Sequence, residues 1–200
     1  MKKLFFILLA LCISIFAFGL ISKAAFDDEL EIYDKTLRLH IPANSNSAED
    51  QAVKLKVRDA VIDYLKKPLS NCTTREEAIS IVQLLSTEIS IVANAILKQE
   101  KKPYSAKVSV VEEYYPQKAY DGLSLPAGTY ASLKIELGSA TGQNWWCVLF
   151  PQVCIGTAKP EESLAEVGFT PNQIKILTEH EDYRYVVKFK LLEIIENVFK

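Results

Sequence analysis

The side chains best suited to chemistry in this sequence are four cysteines, two histidines and two adjacent tryptophans. Trp145, Trp146, Cys147 and Cys154 all fall within one stretch, GQNWWCVLFPQVC, from Gly142 to Cys154. A catalytic dithiol usually takes the form CxxC beside a helix start, and Cys147 and Cys154 are spaced too widely for that. Zinc sites draw on clustered Cys and His ligands. With two histidines and no CxxC or HExxH spacing, no metal site is expected. His40, in TLRLHI, and His180, in TEHEDY, read as surface histidines rather than general bases. Asp27/Asp28 and Glu161/Glu162 are neighbours in sequence, whereas glycosidase chemistry needs carboxylates facing each other across a cleft. No glycine-rich phosphate loop and no GxSxG elbow is present. The reading is therefore of a protein that is not an enzyme, with no catalytic residues, no cofactor and no small-molecule substrate.

The state of the cysteines depends on the compartment. Lys2 and Lys3 precede the uncharged run Leu4–Ile21, and Ser22 and Ala24 supply the small residues before a cut, so residues 1–24 read as a signal peptide cleaved after Ala24. The run is longer than the usual signal core of roughly 7–15 residues and falls within the roughly 17–25 that span a bilayer. An uncleaved anchor is thus the second reading. Cys12, preceded by the bulky Leu11, lacks the setting of a lipid attachment site. On either reading the remaining chain lies outside the cytoplasm, where Cys147 and Cys154 are expected to be oxidised to each other. A bridge across so short a loop contributes roughly 2–3 kcal/mol by chain entropy. Cys72 is left over as a free thiol, a mixed-disulfide partner or an accident of the sequence. Without Lys2, Lys3 and Lys23 the chain keeps 20 of its 23 basic side chains against 25 acidic ones, about −5. That balance disfavours nucleic acid as a partner.

The elements that must position these residues follow from periodicity. Residues 25–36 read as a loose, acidic lead-in and 37–200 as a single domain. In TLRLHI, Leu37, Leu39 and Ile41 alternate with Arg38 and His40, the signature of a half-buried strand. Ser47 suits a helix N-cap, and apolar residues at helical spacing run from Ala48 to about Lys66. Thr74 and Glu77 form a capping box for a second helix that continues to about Lys101. Period two returns in YSAKVSVVEEYY and LPAGTYASLKIEL, and WWCVLF reads as a further strand. Residues 156–178 give no clear pattern, and Val187 to Val198 suggests a terminal helix. The order implies an α+β fold, with a small, mainly antiparallel sheet carrying two long helices and a C-terminal helix. Adjacent strand residues point to opposite faces, so only one of Trp145 and Trp146 can enter the core from the sheet.

The segments ANSNSAEDQAVKLKVRDAVIDYL, LPAGTYASLKIELG and GQNWWCVLFPQVC, in this order, resemble the stage II sporulation protein R family of endospore-forming bacteria. The likeness runs from about Leu37 to Ile155, with a looser match at VVKFKLLEIIE; Pro42 departs from it, and Cys72 has no counterpart. The resemblance implies a protein made in the forespore and secreted across its membrane into the intermembrane space. There it would trigger a membrane-embedded aspartic protease of the mother cell, stage II sporulation protein GA, which removes the pro-segment of sigma-E. Expected contacts with that partner are Trp145 or Trp146 with Phe150, and the loop Asn44, Ser45, Asn46 and Ser47, whose plainer role is as a helix cap. The competing readings are a secreted thiol-dependent enzyme using Cys72 or Cys147, and a membrane-tethered structural protein anchored by Leu4–Ile21.

Overall fold

The computed structural model describes residues 9, 11–16, 31–120, 122–152 and 160–178. After a helical turn at 31–34, the order is β1 (Leu37–Pro42), α1 (Ala48–Leu69), α2 (Arg75–Leu84), α3 (Ser86–Gln99), β2 (Ala106–Tyr115), β3 (Lys118–Tyr120), β4 (Leu123–Leu125), β5 (Gly128–Leu137), β6 (Asn144–Phe150), α4 (Pro160–Glu166) and α5 (Pro171–Thr178). The fold is α+β. Four strands form one sheet in the order β2-β5-β1-β6, and β3 pairs with β4 in a small second sheet. Both edge pairings of the larger sheet are antiparallel, while β1 runs parallel to β5.

The alternation in β1 decides the layers. Leu37, Leu39 and Ile41 are fully buried beneath α1, α2 and α3, in a cluster with Leu133, Ile135 and Leu137 of β5. The helices contribute Val53, Val57, Val61 and Leu65 from α1, Ala78 and Val82 from α2, and Ile89, Ala93 and Leu97 from α3. Burying a Val or Leu side chain is worth roughly 1.5–3 kcal/mol, so this face holds most of the stability. A second, smaller cluster lies on the other side of the sheet. It joins Val148 to Ile32, Leu123, Leu125, Leu164, Phe169 and Leu177.

Three sequence expectations change in detail. The second helix is not continuous: α2 and α3 meet at Leu85 with a bend of 63°. Neither glycine nor proline marks the break, and the apolar stripe runs through it, so packing of both helices on one short sheet sets the bend. The first helix continues through Pro68 to Leu69, because a proline in the last turn removes one backbone donor while Leu69 gains full burial. Residues 31–36, read as part of a loose lead-in, are packed: Ile32 is fully buried, and Thr36 donates its hydroxyl to the Ile32 carbonyl at 2.7 Å. The stretch without a clear pattern supplies α4 and α5. The expected terminal helix lies outside the described residues, as does His180. Among the described residues no single helix is long and apolar enough to cross a membrane.

Candidate recognition site

The face of the sheet turned away from α1–α3 carries the chain's most unusual side chains. Arg38, in the middle of β1, is fully buried. Its guanidinium carbon lies 4.0 Å from the ring centre of Tyr115, 4.9 Å from that of Tyr130 and 5.8 Å from that of Tyr120. One Nη donates to the Tyr120 hydroxyl, while Nε and the other Nη have no hydrogen-bond partner among the described residues. Each desolvated cation–π contact is worth about 0.5–2 kcal/mol, against a penalty of several kcal/mol for a buried ion. The tyrosines therefore offset the charge without cancelling it.

His40, two residues along the same strand, is 11% exposed and its Nδ1 lies 2.9 Å from Glu113 of β2. It is not the solvated surface histidine expected from its strand position, because β2 and β6 bring side chains over it. Glu113 also faces Lys134 at 3.5 Å. Burial would raise the Glu113 carboxyl, but the hydrogen bond and charge of His40, the Ser132 hydroxyl and Lys134 together bring it down to about 2. Tyr115 shares a 2.6 Å hydrogen bond with Ser132, and burial holds its phenol well above the usual value. The Ser132 hydroxyl thus meets Tyr115, and His40 Nε2 is buried with no hydrogen-bond partner among the described residues. The cluster is an ion-pair and hydrogen-bond network, without the contact from base to nucleophile that acyl transfer uses.

The two tryptophans sit on β6, at the edge of the sheet, and divide as strand geometry requires. Trp145 turns toward the helices and packs against the main core, with the Arg58 guanidinium of α1 4.2 Å from its ring centre. Trp146 turns to the polar face, its ring 6.0 Å from that of His40 and 5.9 Å from that of Tyr115, with Lys118 at 5.8 Å. Both are half-buried. Between them opens a groove of about 1060 Å³, walled by α1, β3 and the start of β6. Phe150 does not join this surface. It is 2% exposed in the main core, where the register shift between Leu37 and Arg38 places it.

The loop at 44–47 is tied down by its own chain. Ser47 caps α1 by accepting from the Asp50 backbone N–H at 3.1 Å. Buried Asp50 accepts from Ser45 at 2.6 Å, Asn44 at 2.8 Å and Tyr104 at 2.7 Å, with Lys102 at 3.2 Å. Burial opposes ionisation, but these donors outweigh it and hold the Asp50 carboxyl well below the usual range. Asn44 also receives the Ser139 backbone N–H at 3.0 Å, and the Asn46 side chain receives that of Gln143 at 2.8 Å. Glycine is needed for this approach: a Cβ on Gly142 would lie 2.2 Å from the Ser45 carbonyl oxygen. The capping reading of this loop accounts for its bonds; of its four residues, Asn46 and Ser47 are exposed and Asn44 and Ser45 are half-buried.

Cys147 is buried and disulfide-bonded, while Cys12 and Cys72 are free. Cys154 lies outside the described residues, so its pairing with Cys147 stands as the sequence expectation. Burial, and then the nearby Glu77, raise the Cys72 thiol above its ordinary pKa. No group of three or more His, Cys, Asp or Glu placed to hold a metal occurs among the described residues.

The family model for stage II sporulation protein R matches residues 33–159. The chain belongs to the stage II sporulation protein R family. The match takes in β1, the α1–α3 layer, both tryptophans and the groove between them. A stage II sporulation protein R from Bacillus subtilis (strain 168) is 37% identical over 123 residues, covering 62% of this chain and 55% of that protein. The chain thus spans about half the length of that curated relative. No solved structure shows a significant match. Membership in the family supports a sporulation-related role. Within this member, sequence reasoning found Trp145 and Trp146 but missed Arg38, Glu113, Tyr115, Ser132 and the groove lysines. The signal available was the shared face of Arg38 and His40; which strands cover that face was not readable from β1.

Proposed function

We propose that this protein is an exported sporulation signal, made in the forespore and delivered to the space between the two membranes, where it activates the membrane-embedded aspartic protease of the mother cell. That protease then removes the pro-segment of sigma-E. The observation carrying this reading is the family match across residues 33–159, which includes the aromatic groove at the edge of the sheet. Activation requires that the chain bind the active arrangement of the protease more tightly than the inactive one, since equal affinity shifts nothing. The rival thiol enzyme is disfavoured by its candidate nucleophiles. Cys147 is disulfide-bonded, and the raised pKa of Cys72 lowers its thiolate fraction at neutral pH.

Co-expression of the protease and pro-sigma-E in a non-sporulating host, with and without this chain, tests the reading. Processing is expected only when the chain is present. Equal processing without it would overturn the proposal.

A further inference from the structure

The groove at the edge of the sheet has a chemical bias that narrows what it can hold. Its charged lining residues among those described are both cations, Lys54 of α1 and Lys118 of β3. Arg58 adds a third positive charge against Trp145, although its own partner is the exposed Asp59 at 2.6 Å. Among the described residues no acidic side chain lines the groove.

Lys54 is the decisive member. It is 5% exposed, and its ammonium donates to the Gln51 side chain at 2.6 Å and the Gln143 carbonyl at 3.0 Å, both neutral. Burial and then the charge of Arg58 lower its pKa, and among the described residues no carboxylate pairs with it. A buried ammonium without a counter-charge is costly, and an arriving carboxylate supplies what is missing. Beside it, Leu55 is a large apolar side chain left exposed, and the half-buried Trp145 and Trp146 complete an apolar floor. The exposed Gln143 and Asn144 add side-chain amide donors and acceptors suited to a peptide backbone. A flat bilayer surface fits poorly, because lipid headgroups reach protruding cations, whereas Lys54 is recessed.

We propose that this groove binds an extended, acidic segment of a partner protein, its carboxylates meeting Lys54 and Lys118 and its apolar side chains lying on Leu55 and the two tryptophans. Assigning the segment to the protease rests on the signalling function proposed above.

Both tryptophans of the chain line the groove, so their emission reports its occupancy. The protein, purified as the cell makes it, is titrated with a blocked hexapeptide alternating glutamate and leucine, and with the same peptide carrying glutamine for glutamate. The glutamate peptide should bind about tenfold more tightly, and Lys118→Gln and Lys54→Met should each remove most of that difference. Lys118 is exposed, so its variant tests the groove even if Lys54→Met fails to fold. Equal affinity for both peptides, or an undiminished preference in Lys118→Gln, overturns the inference. So does an emission change with phosphatidylglycerol vesicles and none with the glutamate peptide. The co-expression assay separates the two proposals. A wild-type chain that fails to promote processing sinks the signalling function while peptide binding stands. A wild-type chain that works, alongside an equally active Lys118→Gln, removes the groove from the protease contact.

Discussion

The two faces of the four-stranded sheet are made from alternate residues of the same strands, yet they are held by different physics. On the helix side, Leu37, Leu39 and Ile41 of β1 meet Leu133, Ile135 and Leu137 of β5 and the stripes of α1, α2 and α3. On the other, Arg38 and His40 of β1 meet Tyr115, Glu113, Ser132 and Trp146. The first face gains from every methylene it removes from water. Among the described residues the second contains an incompletely partnered guanidinium and a histidine nitrogen without a hydrogen-bond partner, features that cost stability. The sheet separates two layers: the helix side holds the larger apolar cluster, and the other side sets Arg38, His40, Glu113, Tyr115 and Trp146 beside the smaller apolar cluster around Val148.

Substitutions that strike one face alone should break the comparison in opposite ways. The largest effect belongs to the apolar side, where Leu39→Ala should cost about 2–5 kcal/mol by removing a fully buried side chain between two strands and the helices. Denaturant unfolding would show it as a lowered midpoint. A smaller effect, on the order of 1 kcal/mol after solvent screening, comes from Glu113. Its carboxyl titrates near 2 in the folded chain, below its ordinary value of 4.5, so the unfolded chain binds more protons between those pH values. The contribution is fully present above about pH 4.5 and is lost as pH falls toward 2. Glu113→Gln should therefore flatten the dependence of the unfolding midpoint on pH in that window, leaving the contribution of Asp50, which has the same sign. The smallest effect is expected where a charge is most deeply buried. Arg38→Met keeps the volume and discards the incompletely partnered cation, so stability should stay within about 1 kcal/mol of wild type or rise. A loss as large as that of Leu39→Ala would show that the tyrosine cage contributes to folding on equal terms with the aliphatic core.

The apolar face was legible in the sequence because its signal is local. Period two in TLRLHI and ASLKIEL, the stripe of α1, the Ser47 cap and the Thr74–Glu77 capping box are all found in the structure. The parallel pairing of β1 with β5 was hidden, since register depends on partners far along the chain. The bend at Leu85 was hidden for a related reason: the break lies within an unbroken apolar pattern. At the site, the division of Trp145 from Trp146 followed from strand geometry alone. Lys54 and Lys118 could not be joined from sequence, because one is on α1 and the other on β3, and only the fold brings both to the start of β6. Phe150 lies in the core, not on the surface expected for a contact residue, because the register shift at Leu37 returns it to the core face.

The proposal that the aromatic edge at β6 meets the protease, while the apolar cluster under α1–α3 holds the fold, is put to the test by a paired measurement on Trp146→Ala. The variant is co-expressed with the protease and pro-sigma-E at matched protein level, and its thermal midpoint is read alongside. Processing should fall by more than about tenfold, with a midpoint within a few degrees of wild type. Undiminished processing by a folded Trp146→Ala chain would contradict the proposal.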